Sequence, residues 1–382
     1  MTASASSASA ASRLSRLSSF LDQDPNNLQI IADAAATALD AGEPAQTMAL
    51  LDRYAGLSAL PATLCNLRGL AAIQGQQFSE AARLFDDLLA DNSNDPVLRF
   101  NRAWCAAMLQ DFETTSSLLD ETAATQSPRA ASLKVQALHH LGRLEEALAW
   151  GQRLAERYPD DAALAGALAA VAIDAEDLAL AERYAIRAGD QHDGLAALGM
   201  LRLNRNQIDE SLWLFDRALD GYAEDARAQL GKGLALLAKG EPNAAADHID
   251  SAARLFGGHL GSWVAAGWAY FVKGDYAASR ARFEAALAID DTFAEIHGGL
   301  AVLDVVEGRM DDAKRRTDIA LRLDRNCFSA ALAKMLILSG QGQTRAAERV
   351  RDLALGTPID AGGRTLAQVM VEMGLTARKP SN

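Results

Sequence analysis

The stretch WVAAGWAYFVKGDYAASRARFEAALAID, from Trp263 to Asp290, holds two apolar stripes separated by a break. Trp263, Ala266, Gly267 and Tyr270 follow a three-and-four spacing and so share one helical face. Gly274-Asp275 interrupts the pattern, and Ser279, Phe283 and Ala286 form the face of a second helix. A hairpin of two such helices cannot bury both stripes alone. It requires like neighbours on either side.

Those neighbours are present. The break-then-helix signal recurs as GEPAQTMALL from Gly42, QQFSEAARLF from Gln76, QDFETTSSLL from Gln110, GRLEEALAWG from Gly142 and EDLALAERYA from Glu176. It continues as NQIDESLWLF from Asn206, GEPNAAADHI from Gly240, GDYAASRARF from Gly274, GRMDDAKRRT from Gly308 and GQTRAAERVR from Gly342. Successive starts lie 34 residues apart, except for steps of 32 from Gln110 to Gly142 and 30 from Glu176 to Asn206. The two short copies, beginning near Pro96 and near Ala162, predict a trimmed turn or second helix and a local change of curvature.

The register resembles the tetratricopeptide repeat family, whose 34-residue pattern reads W-x2-L-G-x2-Y…A-x3-F…P. Gly69, Ala81 and Phe85 fit it, as do Leu198, Gly199, Ser211, Phe215 and Ala218, and Ala147 is followed by Pro159 at the terminal proline position. The Trp263 copy departs from it with Ala266 for Leu and Ser279 for Ala. In such a pattern small residues let two helices approach and the aromatic fills the gap beside them. The resemblance implies an all-α, right-handed superhelical solenoid of antiparallel helix pairs, about ten repeats over residues 28–360. The flanks predict a disordered Ser/Ala-rich tail at 1–10, an N-terminal capping helix at 11–24 and a C-terminal capping helix at 361–376.

Composition agrees. Aromatics are 6% of the 382 residues while alanine and leucine abound, which favours close helix packing over a sheet core. The formal charge of -13 repels phosphate backbones and argues against nucleic acid as a partner. Cys65, Cys105 and Cys327 are odd in number and far apart, with no disulfide or zinc spacing. No run reaches the ~18 apolar residues of a membrane span, and the N-terminus lacks the apolar core of a secretory signal. A reducing, cytoplasmic location is expected.

The sequence holds no Walker loop, nucleophile elbow or metalloprotease helix, so neither catalysis, cofactor nor metal is expected. His139-His140 are adjacent and point about 100° apart on a helix, a poor chelate. Asp160-Asp161 and Asp290-Asp291 precede helices, and Asp311-Asp312 begins one, where carboxylates complement the helix dipole. The GKG run at Gly231–Gly233 lies inside a helix and cannot cradle phosphate as a loop would.

In arrays of the family that this chain resembles, the first helices line the concave side, where peptides or helices bind. In the quoted copy a second stripe, about 100° round from the packing stripe, is Val264, Trp268 and Phe271. The same positions elsewhere give Phe100 and Trp104 with Met108 beside them, then Met200 and Leu203, and Leu230 and Leu234. Gly298, Val302, Val305, Leu332 and Leu336 continue the apolar face. The candidate partner-binding set is therefore Phe100, Trp104, Met108, Met200, Leu203, Leu230, Leu234, Val264, Trp268 and Phe271, with Trp268 as the expected anchor. A grip on a C-terminal carboxylate is not expected, because Asn66 alone supplies that chemistry in the first three repeats. The function expected is a non-enzymatic scaffold or adaptor binding an apolar or amphipathic segment, a peptide or helix of a partner protein. The alanine-rich acidic composition and the family resemblance suggest bacterial secretion, pilus or envelope assembly. The rivals are a homodimerising structural solenoid and a receptor for a regulatory peptide or small molecule, and tight packing of the superhelix would instead bury the stripe.

Overall fold

The computed structural model describes residues 2–356, and among them every regular element is helical. The chain divides into two compact units, 1–188 and 189–382. In the first, α1 (Thr2–Gln23) precedes the hairpins α2/α3 (Leu28–Asp40, Pro44–Ala55), α4/α5 (Ala62–Gln74, Phe78–Asp91) and α6/α7 (Pro96–Met108, Phe112–Leu118). A short α8 (Glu121–Ala124) follows, then α9/α10 (Pro128–His140, Leu144–Arg157) and α11/α12 (Ala162–Asp174, Leu178–Ala188). The second unit holds α13/α14 (His192–Asn204, Ile208–Gly221), α15/α16 (Ala226–Lys239, Pro242–Phe256) and α17/α18 (Leu260–Lys273, Tyr276–Ile289). It continues with α19/α20 (Ala294–Val306, Met310–Leu323) and α21/α22 (Phe328–Gly340, Thr344–Gly356). This is the all-α repeat solenoid that the spacing predicts.

Each hairpin turns on one residue. The ten break residues from Gly42 to Gly342 are left-handed, with φ between 57° and 85°. At the quoted copy, Gly274 N–H donates to Phe271 O (3.0 Å) and Asp275 N–H to Tyr270 O (3.0 Å). These bonds satisfy carbonyls that the end of α17 would otherwise leave open. Asp275 then caps α18 by accepting from Ala278 N at 3.0 Å.

The reversal brings the second helix back against the glycine of the first. Phe85, Phe215 and Phe283 are fully buried. A Cβ on Gly69 would stand 2.6 Å from the Phe85 ring, and one on Gly267 would stand 2.7 Å from the Phe283 ring. A Cβ on Gly199 would likewise stand 2.6 Å from Phe215, and Phe215 and Phe283 reach into the following copy as well, where a Cβ on Gly231 or Gly299 would stand 2.2 Å or 2.4 Å from them. Each ring thus lies between two first helices, and burying it is worth about 2–3 kcal/mol. Ser279, where the family pattern has Ala, donates its hydroxyl to Gly267 O at 2.7 Å, so the buried polar atom is satisfied.

The short copies differ as their spacing predicts. In the copy from Pro96 the second helix is split into α7 and α8, and in the copy from Ala162 α12 has 11 residues. The buried Lys134 fills the first gap, donating to Ser116 O (2.8 Å) and Ser116 Oγ (3.0 Å) with its charge 4.9 Å from the centre of the Trp150 ring. Burial holds its ammonium below the ordinary lysine value. The boundary between the units follows α12.

At the start, α1 runs from Thr2 through the residues expected as tail and as cap, and its Leu14 and Leu21 pack on Ile31, Ala34 and Ala38 of α2. The capping helix expected at 361–376 lies outside the described residues.

Gly231→Ala should destabilise the chain by roughly 1–3 kcal/mol, because the Phe215 ring has no room to retreat. Urea denaturation followed by circular dichroism checks this, and adding Phe215→Leu should recover part of the loss; equal stability of Gly231→Ala and wild type would contradict the wedge.

Candidate functional site

The candidate residues all lie on first helices, but the two units treat them differently. In the second unit they are half-buried. Met200 and Leu203 pack on the Phe215 cluster, and Leu230 and Leu234 on Ile249, Ala253 and Ala266. Val264, Trp268 and Phe271 rest on Phe283, Ile296 and Leu300. Trp268 and Phe271 also meet Ala301, Val302 and Ala333, contributed by α19 and α21. The Trp268 ring stands edge-on to Phe271 (5.3 Å, 75°) and to Phe283 (5.7 Å, 83°).

This covering has a local cause. Gly298 lets α21 close on α19: a Cβ there would lie 2.5 Å from Ser329 Cβ and 2.6 Å from Ala330 N. Glu295 of α19 then caps α21, accepting from Phe328 N at 2.8 Å and Ser329 N at 3.2 Å. Val302, expected on the open face, is fully buried. Packing, which burial by a tight array would produce, accounts for much of the stripe around Trp268.

In the first unit α6 carries a different face. Val97, Trp104 and Met108 are 61%, 38% and 43% exposed. Phe100 lies half-buried between them, its ring 6.4 Å from that of Trp104. These four residues stand at i, i+3, i+7 and i+11, one continuous helical face. One repeat back, the matching positions on α4 are Thr63, Asn66, Leu70 and Gln74; one repeat on, those of α9 are Arg129, Ser132, Gln136 and His140. Sequence reasoning missed Val97, although its place three residues before Phe100 marks it.

The titratable groups are engaged elsewhere. His139 bonds Asp174 at 2.6 Å, whereas His140 stacks on Phe112 at 4.2 Å and 7°, so the pair does not converge. Burial pushes the Cys105 thiol up to about 11 and the Cys327 thiol to about 12, so both stay protonated and weakly nucleophilic at neutral pH. Asp161 caps α11 through Leu164 N (2.7 Å), while Asp290 holds the turn at Thr292 instead of capping α19. In the GKG run, Gly231 and Gly233 are buried and Lys232 pairs with Asp216 at 2.8 Å.

His192, Asp193 and Asp225 form the one group among the described residues whose ligand atoms could surround a metal ion. Each is already used. Asp225 Oδ1 caps α15 by accepting from Ala228 N (2.8 Å), its Oδ2 bonds His192 Nδ1 (2.8 Å), and Asp193 accepts from Gln191 (3.4 Å). The His192 ring also lies 5.1 Å from that of Tyr222. The arrangement locks α13 to α15. The hydrogen bond to Asp225, aided by the charge of Asp193, raises the imidazolium's pKa against the opposing effect of burial.

Family models described as Tetratricopeptide repeat match residues 66–114, 117–162, 196–259 and 271–336. No curated protein matches the chain. Among solved structures, the human IFIT1 dimer with PPP-AAAA is 14% identical with a TM-score of 0.53, covering 87% of this chain and 91% of its own. An IFIT1 monomeric mutant with Gppp-AAAA is 13% identical at a TM-score of 0.54, over 86% and 90%. The APC/C hetero-tetramer Cut9-Hcn1 is 14% identical at 0.50, over 95% and 86%. At such identities the likeness concerns the fold.

Two outcomes follow from this geometry. Trp268→Ala should cost roughly 3 kcal/mol in thermal or urea denaturation, and Trp104→Ala about 1 kcal/mol or less; the reverse order would place the open face in the second unit. Because the folded chain holds the His192 proton more tightly than the unfolded one, this contact stabilises fully below the ordinary value of about 6.5 and fades as pH rises through the raised folded value. The difference in melting temperature between wild type and His192→Gln should therefore shrink as pH rises, and a constant difference would contradict the link.

Proposed function

This chain belongs to the tetratricopeptide repeat family, and from that premise we propose that it is a non-enzymatic scaffold holding an apolar or amphipathic segment of a partner protein on the first-helix face of its first unit. The exposed stripe of Val97, Trp104 and Met108 on α6 carries the reading. Large apolar side chains left in water along one helical face mark an interaction surface, and aromatic anchors dominate binding when a partner desolvates them. Phe100, Trp104 and Met108 are then the contact residues. Those of the second unit, Trp268 included, serve chiefly to hold it together.

IFIT1 in the solved structures is bound to short RNAs, as a human dimer with PPP-AAAA and as a monomeric mutant with Gppp-AAAA. Electrostatics argues against carrying the RNA over. The chain's charge is -13, and the two cations of α6 itself are engaged by neighbouring carboxylates: Arg99 by Asp120 (2.6 Å) and Arg102 by Asp86 (2.7 Å). Among the described residues no helix is long and apolar enough to cross a membrane. A place in bacterial secretion, pilus or envelope assembly fits the composition and the family, and no particular residue argues for it.

A photo-crosslinking amino acid at position 104, expressed in the native host, tests the proposal. It should capture a foreign polypeptide, and the same group at exposed position 353 of α22 should not. Crosslinks to RNA, to copies of this chain alone, or to nothing would each contradict it.

A further inference from the structure

The scaffold reading leaves the chemistry of the partner open, and charge supplies it. The formal charge is divided unequally: residues 1–188 carry 14 Lys and Arg against 24 Asp and Glu, which is -10 of the chain's -13. Acids bracket α6 at both ends. Asp91 and Asp95 stand before it, and Asp111 and Glu113 after it. Asp91 and Glu113 are exposed, Glu113 reaching only Arg143 at 3.6 Å. The hydrogen bonds of Thr114 hold the Asp111 carboxyl below the usual carboxylate range, which keeps it ionised.

The width of the apolar stripe says what shape fits. Polar side chains of α4 and α9 occupy most matching positions on either side, so the stripe is one helix wide. Its length, from Val97 to Met108, is ~16 Å, or about three turns of a partner helix laid along it. An extended apolar strand would place half its side chains away from this ridge. A helix with a narrow apolar face meets it along its whole length.

We infer that the α6 face of the first unit is a docking site for a cationic amphipathic helix, its apolar stripe seated on Phe100, Trp104 and Met108 and its flanking Lys or Arg residues facing the acids at the two ends of α6. This rests on the scaffold reading given above. Long basic side chains suit the role because their aliphatic stems extend the apolar contact while their heads reach the acidic rim. Attraction to a unit of charge -10 would also speed the encounter and weaken with salt.

The test uses the full chain and three fluorescent synthetic peptides of 18 or so residues: a helix with a Leu stripe flanked by Lys, the same helix with Glu for Lys, and a scrambled Lys peptide without the stripe. Anisotropy should show the Lys helix binding at least tenfold tighter than either of the others, and severalfold weaker on raising salt from about 50 to 300 mM. Trp104→Ala with Met108→Ala should lose tenfold or more with the circular dichroism unchanged, and Val272→Ala, exposed in the second unit, should lose nothing. Asp91→Asn with Glu113→Gln should weaken the Lys helix severalfold and spare the Glu helix.

Equal binding of the Lys and Glu helices would overturn the charge inference and leave the scaffold reading standing. Equal binding of the scrambled peptide would reduce the effect to general charge attraction and overturn the site. Light scattering that shows a dimer, dispersed by Trp104→Ala with Met108→Ala, would make a second copy of the chain the occupant and overturn both.

Discussion

One backbone constraint organises the molecule. Between the two helices of every copy the chain reverses at a single left-handed residue. Six of these are glycine, which adopts the conformation freely. The other four are Gln76, Gln110, Glu176 and Asn206, and a residue with a Cβ held there costs about 1–2 kcal/mol. The cost is borne because the turn sets where the second helix falls. Only one direction brings Phe85, Phe215 or Phe283 onto the glycine of the first helix. Turn and ring therefore over-determine each other, and the strain is tolerated wherever packing holds it.

The same close packing decides which apolar side chains remain available. Around Trp268 the neighbouring first helices draw together, and the stripe becomes an inner core shared by α17, α19 and α21. Around Trp104 α6 meets α4 and α9 only sparsely, and no pair of first helices beside it closes as α19 and α21 do beyond Trp268. Two rows of residues with one spacing and similar chemistry thus end with different roles. One supplies cohesion, and the other stays in water at a cost that a partner would remove.

Much of the fold was legible. The ten break residues found by spacing all turn left-handed, and the step of 32 after Gln110 marks the split of a second helix into α7 and α8. What was not legible is exposure. Trp104 and Trp268 hold equivalent places in their copies, and the information that separates them lies elsewhere, in the missing Cβ of Gly298 one repeat beyond Trp268. The first helix alone shows which way a side chain points. Whether a neighbour arrives to cover it depends on the shapes of helices many residues away. Charge distribution was written in the sequence from the start, but it acquired a meaning only once the chain was divided at Ala188.

The wedge of Phe215 between Gly199 and Gly231 also bears on how such a gene can lengthen or shorten. The ring borrows half of its socket from the next copy, so no hairpin is self-contained. A duplication or deletion of one whole period keeps each second helix in register with the first helix that follows it, although among the described residues only Phe215 and Phe283 have a glycine on both sides. An insertion of any other length presents a ring to the wrong face. Growth by recombination slippage is therefore quantised in steps of 34 residues across the second unit, and the steps of 32 and 30 in the first half mark places where slippage would not realign the sockets.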